Sequence, residues 1–153
     1  MPADFRIFPA QRLIYSRVYG VFTYRELRDH MLAIRAHPDF DPACNQLFDG
    51  RRIDSLEVTD EEMVEIASIG LSPLRAKRAL IAATPCVFGL FRMYEAYSSS
   101  LGDSGVRVYS SFEEAADWLG IAVQKAPGRA QEATETADSS ISGKWQLNEQ
   151  IFT

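Results

Sequence analysis

A hydroxyl residue followed three positions later by a glutamate occurs at three places in this chain, each time between apolar stretches. The pairs are Thr23/Glu26, Thr59/Glu62 and Ser111/Glu114. In a capping box the hydroxyl accepts a hydrogen bond from the N3 amide and the glutamate accepts one from the cap amide, so two otherwise unpaired donors at a helix start are satisfied. Each pair therefore predicts the start of a helix.

Short runs rich in β-branched and aromatic residues separate the predicted helices. These strand candidates are 5–7, 13–19, 46–49, 79–83 and 106–109, and the helix candidates are 24–36, 60–69, 85–100 and 112–119. Alternating strands and helices are typical of a layered α/β domain. Gly20 is expected to end the second strand, and 50–58 is expected to be a polar loop.

The lengths of the connections predict how the strands pair. The first two strands are joined by a short link around Pro9, which favours an antiparallel pair, whereas strands separated by helices need right-handed crossovers and run parallel. The sequence therefore predicts an α/β fold with a mixed, mostly parallel sheet of about five strands, an N-terminal antiparallel pair and about four helices.

Composition disfavours several classes of partner. The chain has 153 residues, the size of one domain, and its net charge of -5 disfavours binding to nucleic acid. No stretch has the roughly 20 apolar residues needed to span a bilayer, and residues 1–11 lack the order of a secretory signal. Cys44 and Cys86 are far apart and have no neighbouring histidines, so neither a disulfide framework nor a zinc site is indicated. We expect a cytoplasmic protein without a cofactor.

The composition changes after Val123. Residues 124–143 contain almost no large apolar side chain, too little to offset the entropy lost on ordering them. We therefore expect one domain at 1–123 and a polar linker and tail at 124–153. Beyond the linker, Trp145, Leu147 and Ile151 alternate, so 144–152 is either a mobile end or an edge strand added to this or a neighbouring subunit.

Four segments carry a resemblance to a known family. They are Gly20-Val21-Phe22-Thr23 with Glu26-Leu27, His37-Pro38-Asp39-Phe40 with Leu47-Phe48-Asp49, Phe88-Gly89-Leu90-Phe91-Arg92-Met93-Tyr94-Glu95, and Phe112-Glu113-Glu114-Ala115-Ala116-Asp117-Trp118-Leu119. In order and spacing, over about residues 12–119, the chain resembles the SpoIIAA-like proteins of the STAS superfamily, whose fold is similar to the ligand domain of CRAL-TRIO lipid carriers. The resemblance implies a fold rather than a reaction.

The resemblance also points to one serine. Superfamily members that antagonise anti-sigma factors carry a phosphorylatable serine at a helix start after an aspartate-ending strand, and Ser55 is similar to that site. The distance from Asp49 is shorter here, and Leu56 and Glu57 replace small residues. Ser55 is either a phosphosite, whose phosphate would pair with Arg51 or Arg52, or a solvated loop serine.

The helix predicted at 85–100 is apolar on more than one stripe. Its core face holds Val87, Leu90, Phe91, Tyr94 and Leu101. Phe88 shares a line with Arg92, which suggests exposure, while Met93 and Tyr97 widen the apolar surface and Gly89 leaves room for a close approach. Such a helix is deeply buried, or covered by a second copy in a homodimer, or forms the wall of a hydrophobic ligand site.

Several charged residues complete the candidate site. Arg92 either pairs with an acid, with Asp49 as one choice, or binds an anionic head group beside the aromatic side chains. Asp49 ends the strand predicted at 46–49 and Arg51 lies in the loop predicted at 50–58, and Asp49 with Asp54 could serve as acid and base in an enzyme. Arg75, Lys77 and Arg78 either extend such an anion site or form a solvated rim, and we expect the rim. His30 and His37 are expected at the surface, and lack the third ligand of a metal site.

Two functions follow from these patterns. The first is a non-enzymatic regulatory or interaction module, homodimeric through the helix at 85–100 and the loop at 50–58, with a protein partner. The second is a carrier or sensor of a small lipophilic or amphipathic anionic molecule, held between the helices at 60–69 and 85–100. An enzyme is the weakest alternative.

Overall fold

The computed structural model describes residues 3–70 and 76–121. They form five strands and four helices: β1 Ala3–Phe8, β2 Leu13–Thr23, α1 Tyr24–Ala36, β3 Asn45–Glu57, α2 Asp60–Gly70, β4 Arg78–Ala82, α3 Pro85–Ser100, β5 Val106–Tyr109 and α4 Phe112–Leu119. The strands lie side by side in chain order; β1 is antiparallel to β2 and the later pairs are parallel. The predicted fold class is confirmed.

The helices begin where the capping residues predict. At α1 the Thr23 hydroxyl accepts a hydrogen bond from the Glu26 amide at 3.3 Å, and the Glu26 carboxylate accepts one from the Thr23 amide at 3.2 Å. Thr59 and Glu62 exchange the same two bonds at the start of α2. Before α4 the Ser111 hydroxyl accepts from the Glu114 amide at 3.3 Å. Local hydrogen bonding therefore sets these boundaries.

Two strand predictions are wrong. β2 does not end at Gly20, and 50–58 is not a loop, because β2 and β3 continue to pair as far as Thr23 and Glu57. Gly20 lies at a register shift with a φ of +74°, so it forms a bulge that bends the strand without ending it. The polar residues after Gly50 lie along a strand.

The sheet separates two layers. Successive right-handed crossovers that move in one direction along a sheet place their helices on the same face. Here α1, α2 and α3 lie on one face, called the three-helix face. The main core cluster consists of the buried apolar residues of these helices and of the strands they cover. α4 packs on the opposite face, here called the α4 face, through Ala115 and Leu119. β4 is buried on both faces, as its continuous apolar run predicts.

Some predictions lie beyond these ranges. The polar tail at 124–153, with its edge strand at 144–152, and Arg75 are outside the described residues. Within the ranges that the structure describes, the helices are too short or too polar to cross a bilayer.

Candidate functional site

The predicted site residues lie on opposite faces of the sheet. Phe88, Gly89, Arg92, Met93 and Tyr97 belong to α3, on the three-helix face. Asp49 and Arg51 lie on β3 and point to the α4 face, where Asp49 bonds to Tyr15 and Arg51 lies over Phe112. The sheet separates these two groups, so they do not line one common pocket.

Asp49 is the centre of a polar cluster on the α4 face. Its carboxylate accepts hydrogen bonds from Arg51 Nε at 2.9 Å, from Arg51 Nη2 at 2.7 Å and from the Tyr15 hydroxyl at 3.3 Å. The Arg51 guanidinium carbon lies 5.3 Å from the centre of the Phe112 ring. A bidentate arginine pair stacked on an aromatic ring holds a buried carboxylate in one orientation.

Arg92 does not pair with Asp49. Its guanidinium bonds to Glu95, one turn further along α3, at 3.1 Å, and its side chain is exposed. The i, i+3 spacing brings these two residues together on the helix surface, while the sheet separates Arg92 from Asp49.

The apolar surface of α3 is largely used within the chain. Phe88, Met93 and Tyr97 are half-buried and pack against the main core cluster, so Phe88 is less exposed than its position on the helix suggested. Leu101, expected on the core face, is 44% exposed. A Cβ atom on Gly89 would meet open space. No other segment of the described chain therefore packs closely against this glycine.

Ser55 lies within β3, not at a helix start. It pairs with Val21 of β2 and is half-buried. The neighbouring Asp54 is exposed on the same strand. Phosphorylation of Ser55 stays a prediction.

A cavity of about 60 Å³ lies between α1, α2, α3 and the middle of the sheet, and it is partly open to solvent. Most of its lining side chains are apolar or aromatic, and they come from all three helices and from β3 and β4: Leu27, Met31, Ile34, Phe48, Leu56, Met63, Ile66, Leu80, Phe91 and Tyr94. Three polar residues, His30, Gln46 and Arg78, complete the lining. This mixture is typical of small-molecule sites.

His30 is buried, which corrects the expectation of a surface histidine. It is 7% exposed, its Nε2 lies 2.8 Å from the Ser16 hydroxyl, and its ring meets Phe5 and Phe48 edge-on. Burial lowers the pKa of His30 to about 4, because the charged imidazolium loses its hydration there; the negative charge of Asp4 opposes this shift. At neutral pH the ring is therefore uncharged.

Arg78 is also buried, so it is not part of a solvated rim. It is 4% exposed, its Nη1 donates to the Tyr94 hydroxyl at 3.0 Å, and it forms an ion pair with Asp103. Asp103 follows α3, and its carboxylate also accepts a hydrogen bond from the Gly105 amide at 3.0 Å. The charge of Arg78 is thus compensated within the chain.

Sequence reasoning missed both residues for the same reason. Each was predicted to be exposed because its side chain is polar, whereas its position in the sequence pattern indicates burial. His30 follows Leu27 by three and precedes Ile34 by four, the spacing of an inward helix face. Arg78 directly precedes a continuous apolar run, at the first position of β4.

The described part of the chain contains no group of three or more His, Cys, Asp or Glu residues placed to hold a metal ion. Cys44 is buried and Cys86 is exposed, and both are free thiols.

Comparison with known proteins supports the fold. An uncharacterised protein of the DUF3478 family from Shewanella loihica PV-4, described as having a SpoIIAA-like fold, superposes with a TM-score of 0.53 at 14% identity, over 76% of this chain and 93% of that chain. No protein-family profile and no curated protein matches this sequence. The chain therefore has a SpoIIAA-like fold, as the resemblance implied.

Proposed function

We propose that this chain is a non-catalytic binding module whose site is the cavity between α1, α2, α3 and the sheet. The observation that carries the proposal is the cavity itself, an apolar space that is lined by core residues and partly open to solvent. At roughly 24 cal/mol per Å³, an enclosed cavity of this size would cost about 1.5 kcal/mol of stability, which is an upper bound for a cavity partly open to solvent. Selection for stability alone would favour larger side chains in this space, whereas selection for a ligand would keep it open.

The size of the cavity limits the ligand. An engineered apolar cavity of about 150 Å³ takes up benzene or xenon. A cavity of about 60 Å³ accepts a single xenon atom or a group smaller than benzene, unless the lining moves. Met31 and Met63 both line it, and their unbranched, flexible side chains can shift to enlarge it. The ligand is therefore a small lipophilic molecule, or the apolar end of a longer one.

A regulatory role fits the same site. A ligand between the sheet and three helices would change the spacing of α1, α2 and α3, and a protein partner or a second copy of this chain could detect that change. Homodimerisation through α3 and the presence of a protein partner stay predictions. A cytoplasmic location is inferred from the two unpaired cysteines, since disulfides are rare in reducing compartments.

Filling the cavity tests this proposal. Met31→Trp places a larger side chain at the cavity, while Leu32→Trp adds the same ring at the next residue of α1, which is 40% exposed and outside the lining. We expect xenon, followed by its own NMR resonance, to bind the parent protein and Leu32→Trp, and to bind Met31→Trp much more weakly. A second filling variant, Ile66→Phe, guards against a misfolded Met31→Trp protein, and circular dichroism checks the fold of each. Equal xenon binding by all four proteins would refute the proposed site.

A further inference from the structure

The charged residue of the cavity lining is already neutralised. Arg78 forms an ion pair with Asp103 and donates to the Tyr94 hydroxyl. Asp103 is itself buried in this pair, with only 9% of its side chain exposed. An anionic ligand would have to displace Asp103 and leave its carboxylate buried and unpaired, which is strongly unfavourable.

His30 supplies no positive charge either. Its ring is buried against Phe5 and Phe48, and its Nε2 is engaged with Ser16. At neutral pH the imidazole is uncharged, for the reason given above. The polar lining therefore presents no net charge to a ligand.

Gln46 and Tyr94 each bring an available hydrogen-bonding group to the lining. Across residues 3–70 and 76–121, the side-chain amide of Gln46 has no hydrogen-bond partner, and the Tyr94 hydroxyl accepts from Arg78 while its own proton has no acceptor. Both groups can donate to an oxygen atom. A ligand with one acceptor oxygen would give one of these groups a partner beside an apolar surface.

We propose that the ligand is a small neutral molecule with an apolar body and one acceptor oxygen, such as an alcohol or a ketone. Gln46 and Tyr94 bind this oxygen. This inference rests on the proposed function. A carboxylate or phosphate ester is disfavoured because no uncompensated positive charge faces the cavity. This choice selects the neutral lipophilic class over the anionic class that the sequence left open.

Ligands matched in shape and different in charge test the inference. Butan-1-ol and butyrate have the same chain length, and their binding can be followed through the NMR signals of the Met31 and Met63 methyl groups, which both line the cavity. We expect butan-1-ol to shift these signals at concentrations more than about tenfold lower than butyrate, because the carboxylate must be desolvated without a counter-charge. Butyrate binding as tightly as butan-1-ol, or more tightly, would overturn the inference.

Two variants test the proposed contacts. Gln46→Leu and Tyr94→Phe each remove one donor group, and each should weaken butan-1-ol binding about fivefold, as expected for one lost neutral hydrogen bond. Because Tyr94→Phe also removes the acceptor of Arg78 Nη1, circular dichroism checks that this variant keeps its fold. Tyr97→Phe removes a hydroxyl from the same helix outside the cavity lining and should leave the affinity unchanged. Unchanged affinity in both Gln46→Leu and Tyr94→Phe would overturn the assignment of the oxygen site.

Xenon separates this inference from the proposed function. Xenon needs neither an acceptor oxygen nor a charge, so it should bind Gln46→Leu as it binds the parent protein. If xenon binds and butan-1-ol does not, the inferred ligand class is wrong while the cavity remains a binding site. If neither binds, the proposed function fails as well.

Discussion

At the scale of single residues, His30 is a polar side chain in an apolar place. Leu27, His30 and Ile34 share the inward face of α1, so helical spacing alone would have placed the imidazole in the core. Its contacts depend on Ser16, Phe5 and Phe48, which belong to three different strands. The burial of His30 was thus predictable from the sequence, whereas its partners follow from strand pairing between distant segments.

The buried His30 makes stability depend on pH. Its pKa in the folded chain is about 4, below the ordinary value of 6.5, so between these values the unfolded chain binds a proton that the folded chain does not. The contribution of His30 to the free energy of unfolding is therefore complete above pH 6.5 and is lost as the pH falls toward 4. A pKa shift of this size corresponds to about 3 kcal/mol in total. Urea unfolding at pH 7.0 and 5.5 should show a loss of about 1 kcal/mol from this group.

Two glutamine variants isolate the contribution of His30. His30→Gln removes the titrating group, so its stability should fall less between pH 7.0 and 5.5 than that of the parent protein. His37→Gln is the matched control, since it makes the same substitution at an exposed residue after the end of α1. Identical pH dependence in the parent and His30→Gln would contradict the buried, uncharged state.

At the scale of elements, helices were easier to predict than strands. A helix start is fixed by residues three positions apart, so Thr23, Thr59 and Ser111 marked it directly. The lengths of β2 and β3 depend on pairing between segments about thirty residues apart, and a bulge at Gly20 allows this pairing to continue. A glycine or a polar run ends a strand by local rules, but pairing across the sheet overrides them here.

Substitution by alanine should change stability in opposite directions at Gly50 and Gly89. A Cβ on Gly50 of β3 would lie 2.8 Å from the Phe91 ring and 2.9 Å from the Ile81 carbonyl oxygen, whereas one on Gly89 of α3 would meet open space. We expect Gly50→Ala to destabilise the protein by about 1–3 kcal/mol through overpacking. Gly89→Ala should stabilise it by about 0.5–1 kcal/mol through helix propensity. Thermal unfolding of both variants measures the difference.

The Gly89 variant also tests docking at α3. A partner seated closely on α3 at this position would clash with the added methyl group, so Gly89→Ala would then reduce the mass of the assembly measured by native mass spectrometry. An unchanged mass with a raised melting temperature indicates that no partner packs against Gly89. A lowered melting temperature would contradict the open space around this residue.

At the scale of the whole molecule, the layers follow from chirality, and the cavity does not. Right-handed crossovers between strands in sequential order put α1, α2 and α3 on one face, which leaves the other face to α4. The sequence predicted that two of the cavity-lining helices, α2 and α3, face each other, and it missed the contribution of α1. The volume of a cavity is the small difference between the space enclosed by the sheet and helices and the volume of the side chains that fill it. Its size and lining therefore depend on the packing of every side chain and cannot be predicted from the sequence pattern.

Shortening the chain tests where the folded unit ends. The α4-face core ends with Leu119 and Ile121, which pack against β2, β3 and β4 residues, and residues 124–143 are poor in large apolar side chains. We expect removal of 124–153 to change the melting temperature by less than about 3 °C and to leave the denaturant m-value unchanged, because m scales with the surface exposed on unfolding. Removal of 112–153, which also deletes the buried Ala115 and Leu119 of α4, should abolish cooperative unfolding, since the α4 face of β4 would then be exposed. A large loss of stability on removal of 124–153 would show that the tail belongs to the folded domain. If this deletion instead halved the mass of the assembly, the tail would form a contact between subunits.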